Sequence, residues 1–293
     1  MRKYLLVLLF NFVIYNSYAQ ESAWAYWNNM TDSSEHYVFS DTAFIRNTPS
    51  TQSAVLDTLL TGHDVLLLNK TNIMLLVRGF TAPWVKISYK KAGQEKSGFV
   101  WSGMLSFNPM RRGNTKFVFG FNSRSKDKNG LNYYSGFLKV VESGKLTEKT
   151  PFKIVDGESL SFIEGTVQEP GGLDSVRYVI QLFFSGEACG VDAYNYSFAW
   201  TGKKLVNMPP LVNNGDADIY MHSESYVFPN DKGGQPTILI VDIEQMEQTE
   251  KPDGKGNYLY SFTGQKKFFK WNGSQFKLVN SLSKKKQLKP IDH

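Results

Sequence analysis

Four side chains of metal-ligand type fall within nine residues: Asp216, Asp218, His222 and Glu224. On a single strand all four share one face, because alternate side chains point the same way. Three carboxylates and an imidazole on one face are a donor set for a divalent cation. Asn214-Gly215 just before them also marks the entrance to a strand, where solvated acids are common, and a site needs further ligands from another strand. Asp127-Lys128-Asn129-Gly130 and Asp253-Gly254-Lys255-Gly256-Asn257 resemble fragments of calcium loops. Neither has the full acidic spacing or the closing Glu, so both read as turns. Glu164 and Glu224 are candidates for a glycosidase carboxylate pair only because they align in an internal repeat, and repeat register predicts structural equivalence better than catalysis. No G-x-S-x-G, Walker loop, dinucleotide fingerprint or paired-Cys zinc motif is present, and no cofactor is implied.

The elements that must position these residues read as strands. The chain has 293 residues, with 21 Phe, 15 Tyr and 6 Trp. Such residues suit pleated, half-buried surfaces. No long capped segment of 3.6-residue period is found, so the expected class is all-β with few and short helices. Residues 107 to 282 carry a weak repeat with a period of about 60 residues. The stretch from Ser175 to Val206 matches that from Pro236 to Val279, with Tyr196-Ser197-Phe198 against Tyr260-Ser261-Phe262. Trp200-Thr201-Gly202-Lys203 matches Trp271-Asn272-Gly273-Ser274 after an insertion. A third copy begins at Lys116 and has its hairpin at Glu142-Ser143-Gly144-Lys145. Four-stranded units in series predict a propeller-like array or a sandwich. Asn272-Gly273 is the strongest hairpin turn, since both residues tolerate positive φ.

Residues 1 to 19 read as a secretory signal: Arg2 and Lys3, an apolar run from Tyr4 to Tyr15, then Ser17-Tyr18-Ala19. No later run is long and apolar enough for a transmembrane helix, and no Cys follows the signal for lipid attachment. The mature chain is therefore expected to be exported, periplasmic or secreted. Residues 20 to 40 form a lead-in whose Trp24, Tyr26 and Trp27 are expected to pack against a neighbouring domain. The formal charge is +6. Much of it comes from Arg2, Lys3 and a basic tail, 283 to 293, that holds Lys284, Lys285, Lys286 and Lys289. The body is then near neutral, and no arginine–aromatic array points to nucleic acid. Cys189 is the single cysteine, so no internal disulfide forms. It reads as a small buried apolar residue or a reactive thiol.

Residues 41 to 106 open with DTAFIRNTPSTQSAVLDTLLTGHDVLLL and close with APWVKISYKKAGQEKSGFVWSGML. The order of an "IRNTPS" loop, a "WVKI" strand, a polar hairpin and a "GFV" strand resembles the bacterial SH3-like domain, over less than a quarter of the chain. The resemblance implies a small barrel of five or six strands. Val65, Leu67, Val85, Ile87, Phe99 and Val100 are the expected core, and Lys90-Lys91-Ala92-Gly93 a hairpin tip. It also implies a groove for a peptide or cell-wall fragment, with Arg46, Asn47, Trp84 and Trp101 as contacts. Trp84 as plain core and Arg46 as a brace for its loop stand beside that reading. Such domains often accompany cysteine peptidases of peptidoglycan. Cys189 followed by His222 has the right order for one, but the glycine-rich context and the missing helix pattern do not fit. The expected function is non-enzymatic binding of peptidoglycan fragments or envelope proteins. The alternatives are a wall hydrolase with its site in the C-terminal domain and a calcium-dependent structural or adhesion module.

Overall fold

The computed structural model of the protein describes residues 26–27, 30–217, 219–252 and 258–289. The expected signal, Trp24, Asp218, the turn from Asp253 to Asn257 and His293 lie outside the described residues. The protein is all-β. Nineteen strands and two single-turn 3-10 helices, Ser102–Met104 and Glu158–Leu160, make up its regular structure among the described residues, apart from a short helical segment at Tyr26 and Trp27.

The first sheet holds β1 (Glu35–Tyr37), β2 (Thr42–Arg46), β3 (Val55–Leu60), β4 (Asp64–Val77), β5 (Phe80–Lys91) and β6 (Gln94–Trp101), in the order β1-β4-β5-β6-β2-β3. Leu59 of β3 and Val65 of β4 lie near opposite ends of that order yet share one core with Ile45, Leu67, Val85, Ile87 and Val100, so the sheet curls on itself. The lead-in supplies its edge strand β1. β5 is apolar on both faces: Val85, Ile87 and Tyr89 point into this core, while Phe80, Ala82 and Trp84 point into another. Phe99 also faces outward and is only partly buried. The β5–β6 tip closes on Ala92 and Gly93, both at positive φ, which is the geometry that matches strand twist.

The second sheet is a meander of β7 (Met110–Arg112), β8 (Thr115–Lys126), β9 (Asn132–Glu142) and β10 (Lys145–Val155). Both of its faces are covered. Phe117, Phe119 and Phe121 with Leu138 and Val140 enter the largest core, which also takes Trp27, Phe80, Trp84 and Trp101 from the N-terminal part. Val118 and Val141 on the opposite face pack with Tyr37 and Phe39. Residues 41 to 106 are therefore joined to the second sheet through shared cores, with no clean break between them. Gly120 permits the close approach, because a Cβ there would sit 2.8 Å from the Phe39 ring.

The third sheet runs from β11 (Phe162–Gln168) through β12 (Tyr178–Ser185), β13 (Ala193–Trp200), β15 (Leu211–Asp216), β16 (Tyr220–Val227), β17 (Ile238–Pro252) and β18 (Tyr258–Trp271) to β19 (Phe276–Lys289), with β14 (Leu205–Asn207) also paired to β13. Three antiparallel meanders of four strands follow one another: β7–β10, β11–β14 and β16–β19. Trp200 and Trp271 both end the third strand of their unit, and both are buried. The tripeptides do not keep register. Phe198 lies two residues before Trp200, and Phe262 nine before Trp271. The longer third unit is lengthened in its strands, not in a loop. β15 pairs β13 on one side and β16 on the other, so the second and third units share one sheet instead of standing as separate blades. The first and second units stack face to face, with the Phe121 and Phe184 rings stacked at 6.4 Å and Phe152 against Phe184 at 5.8 Å. That relation is nearer to a sandwich than to a propeller.

Two local expectations are corrected. The β18–β19 connection is a four-residue loop, not a two-residue turn. The Asn272 side-chain oxygen accepts from the backbone N–H of Ser274 and Gln275, which closes a wider loop around Gly273. The basic stretch from Ser283 to Lys289 is strand, not tail: Lys284 pairs with Asp242 at 2.6 Å and Glu244 at 2.9 Å.

Candidate functional site

A large cleft, about 800 Å³, lies where β1, β4 and the β5–β6 hairpin of the first sheet meet the start of the second. β1 is anchored there by its own side chain. His36 is buried and donates from Nδ1 to the Ser106 carbonyl at 2.8 Å, with Nε2 beside the Ser34 hydroxyl at 2.9 Å. Burial lowers the His36 pKa, and the Ser106 bond opposes this only in part, so the neutral ring is favoured. Fixing His36 fixes its neighbours Glu35 and Tyr37, which line the cleft with Asp64, Tyr89, Glu95, Lys90 and Arg111. Acidic and basic groups are both present around two phenol rings.

The tyrosines are held by charge as well as packing. Lys116 lies 4.7 Å from the Tyr37 ring centroid and donates to Asp64 at 2.6 Å. Burial, then Asp64, raises the Tyr37 pKa. Tyr89 is pushed up to about 12 by burial and by Asp57, on which its hydroxyl rests. Both phenols stay neutral at physiological pH. Their rings are buried, so they form a rigid wall behind the exposed charges, and the Tyr89 hydroxyl is turned to Asp57.

The expected binding residues fall elsewhere. Trp84 and Trp101 pair across β5 and β6, and each is only 4% exposed. Both are core: the second sheet covers the outward face of the first, and the Trp101 indole N–H is shared by the carbonyls of Leu75 and Ala82 at 3.0 Å each, with Trp101 also bordering a second cleft at the seam of the two sheets. Arg46 donates to the Ser53 carbonyl at 2.6 Å and so braces its own loop, while Asn47 is exposed with its backbone N–H on Ala54. None of the four lines the large cleft.

The described members of the metal-type cluster do not share one strand. A turn at Ala217 and Ile219 splits the stretch into a hairpin, so Asp216 ends β15 opposite Tyr220, while His222 and Glu224 stand on β16. The Glu224 carboxylate accepts from the Val212 N–H at 2.9 Å and lies 3.2 Å from His222 Nε2. Gln245 takes the other ring nitrogen. Among the described residues no three His, Cys, Asp or Glu side chains converge on a possible metal. Asp127 caps its own turn by accepting from the N–H groups of Asn129 and Leu131. Cys189 is exposed in the β12–β13 loop, which corrects the buried reading. Glu164 and Glu224 do occupy equivalent first strands of their units, β11 and β16.

The cleft residues gave no signal in the sequence, because they come from several strands with unrelated spacing. No family model, curated protein or solved structure matches the chain. Among the described residues no helix is long and apolar enough to cross a membrane.

Proposed function

We propose that the protein is an exported, non-enzymatic envelope protein whose SH3-like first sheet holds a peptidoglycan fragment or a protein segment in the large cleft. The observation that carries this reading is the composition of that cleft: Tyr37 and Tyr89 between the acids Glu35, Asp64 and Glu95 and the cations Lys90 and Arg111. Cell-wall peptides and extended protein segments present free carboxylates and amines on a partly apolar chain. A mixed-charge cleft with a rigid, partly apolar wall is complementary to such a ligand, with the ion pairs giving direction. Tyr37 and Tyr89 are as buried as Trp84 and Trp101 and only wall the cleft, so contact with the ligand falls to the exposed charges Lys90, Glu95 and Arg111.

Sedimentation with purified peptidoglycan tests it. The protein pellets with the wall, and a Lys90→Glu/Arg111→Glu double variant, altered only at exposed positions, reduces the pelleted fraction about tenfold, as expected for loss of two charge-assisted contacts. Equal pelleting of both proteins contradicts recognition through this cleft.

A further inference from the structure

A second, more enclosed cleft of about 380 Å³ lies at the seam between the first and second sheets. It shares no lining residue with the large cleft. Three cations line it, Arg78, Lys139 and Lys149, against a single carboxylate, Asp41.

The fold forces these charges together. Lys139 of β9 and Lys149 of β10 are direct cross-strand partners, an arrangement that destabilises a sheet unless a counter-charge intervenes. Lys139 is buried, with its side chain 5% exposed, and donates to the Phe39 carbonyl and to Asp41, both at 2.7 Å. Burial lowers the Lys139 pKa, and Lys149 and Arg78 act in the same direction against the opposing pull of Asp41. Arg78 is delivered by the β4–β5 tip, where Arg78 and Gly79 both take positive φ. The tip is docked on β8, with Arg124 N–H donating to the Arg78 carbonyl at 2.9 Å. The Arg78 guanidinium then donates to Asn122 at 2.9 Å. No carboxylate among the described residues pairs with Arg78 or Lys149. Asp41 offsets one charge of the three.

We propose that this cleft binds one oxyanion group, the carboxylate or phosphate of a small ligand, between Arg78, Lys139 and Lys149. The group supplies the missing counter-charge in a partly enclosed space where ion pairing is stronger than in open water. Phe137 and Met104 beside it accommodate an apolar portion of the same ligand.

The test is an NMR titration of the isotope-labelled protein with acetate, inorganic phosphate and neutral acetamide. Acetate or phosphate shifts the amides of Arg78, Asn122 and Lys149 saturably, and acetamide does not. Comparing the two anions distinguishes a carboxylate ligand from a phosphate ligand. Lys149→Gln, at an exposed position, weakens anion binding about tenfold while Lys149→Arg retains it. Asp41→Asn tightens it several-fold, on the order of one removed like charge, an outcome a purely structural role does not produce. No saturable shift with either anion, or equal affinity in Lys149→Gln, overturns the proposal. Failure here leaves the large cleft untouched, since none of these variants lines it.

Discussion

His36 carries the most local consequence of the fold. Its ring is buried beneath β1 and is favoured neutral, with a pKa below the ordinary 6.5. The unfolded chain therefore binds a proton at a pH where the folded chain does not. By linkage, the stabilisation is fully present above the unfolded value and is lost as pH falls through about 6.5 toward the lower folded value. Thermal melts of the wild type and of His36→Gln across pH 5 to 8 check this (the window follows from the reference value). The wild type loses stability on acidification, and the gap between the two proteins narrows. A gap that stays constant with pH contradicts a neutral His36. Because His36 sets Glu35 and Tyr37, the proposed binding of a cell-wall fragment in the large cleft is expected to weaken over the same interval.

At the scale of elements, two-sided strands decide the architecture. β5 buries Val85, Ile87 and Tyr89 on one face and Phe80, Ala82 and Trp84 on the other, and β8 does the same with Phe117, Phe119 and Phe121 against Val118. The β8 seam is tight enough to leave no room for a methyl at Gly120, whose φ is not positive, so packing alone is tested by substitution there. Gly120→Ala is expected to cost about 1–3 kcal/mol by pushing Phe39 from the sheet. Urea denaturation measures it, and an unchanged midpoint contradicts the close approach. The same two-sidedness explains what the sequence could and could not show. Alternation in "WVKI" correctly separates Val85 and Ile87 from Trp84, but alternation only says that Trp84 points out of the first core. Whether solvent or a second sheet lies there depends on pairs such as Phe80 with Tyr134, 54 positions apart in the chain and 5.9 Å apart in space. The tryptophans were thus legible as outward, and Trp84 also as plain core, but the second sheet that buries both was not. Likewise Asp216 and His222 read as one strand because a short turn between them has no strong Gly or Pro signal. Trp200 and Trp271, aligned in the sequence, both end a strand, while the joining of their meanders into one sheet rests on β15, which has no counterpart in the pattern.

For the whole molecule, the first sheet depends on the second. Phe80, Trp84 and Trp101 are buried only because the meander covers them, and Trp27 of the lead-in is part of the same core. Residues 30–106 produced alone are expected to expose these rings, bind hydrophobic dye and melt without a cooperative transition. In the full chain Trp101→Ala is expected to cost about 3–5 kcal/mol and to destabilise both sheets together. Calorimetry showing an independent, cooperative melt for the isolated segment contradicts a shared core. This dependence places the two clefts on one packed body.

Recognition at the large cleft is tested most directly by an NMR titration of the protein with a soluble, enzymatically released cell-wall fragment. Saturable shifts concentrated at Glu35, Tyr37, Tyr89 and Arg111, and absent in Lys90→Glu/Arg111→Glu, are the predicted result. Shifts confined to the third sheet, or no saturable shift anywhere, contradict it.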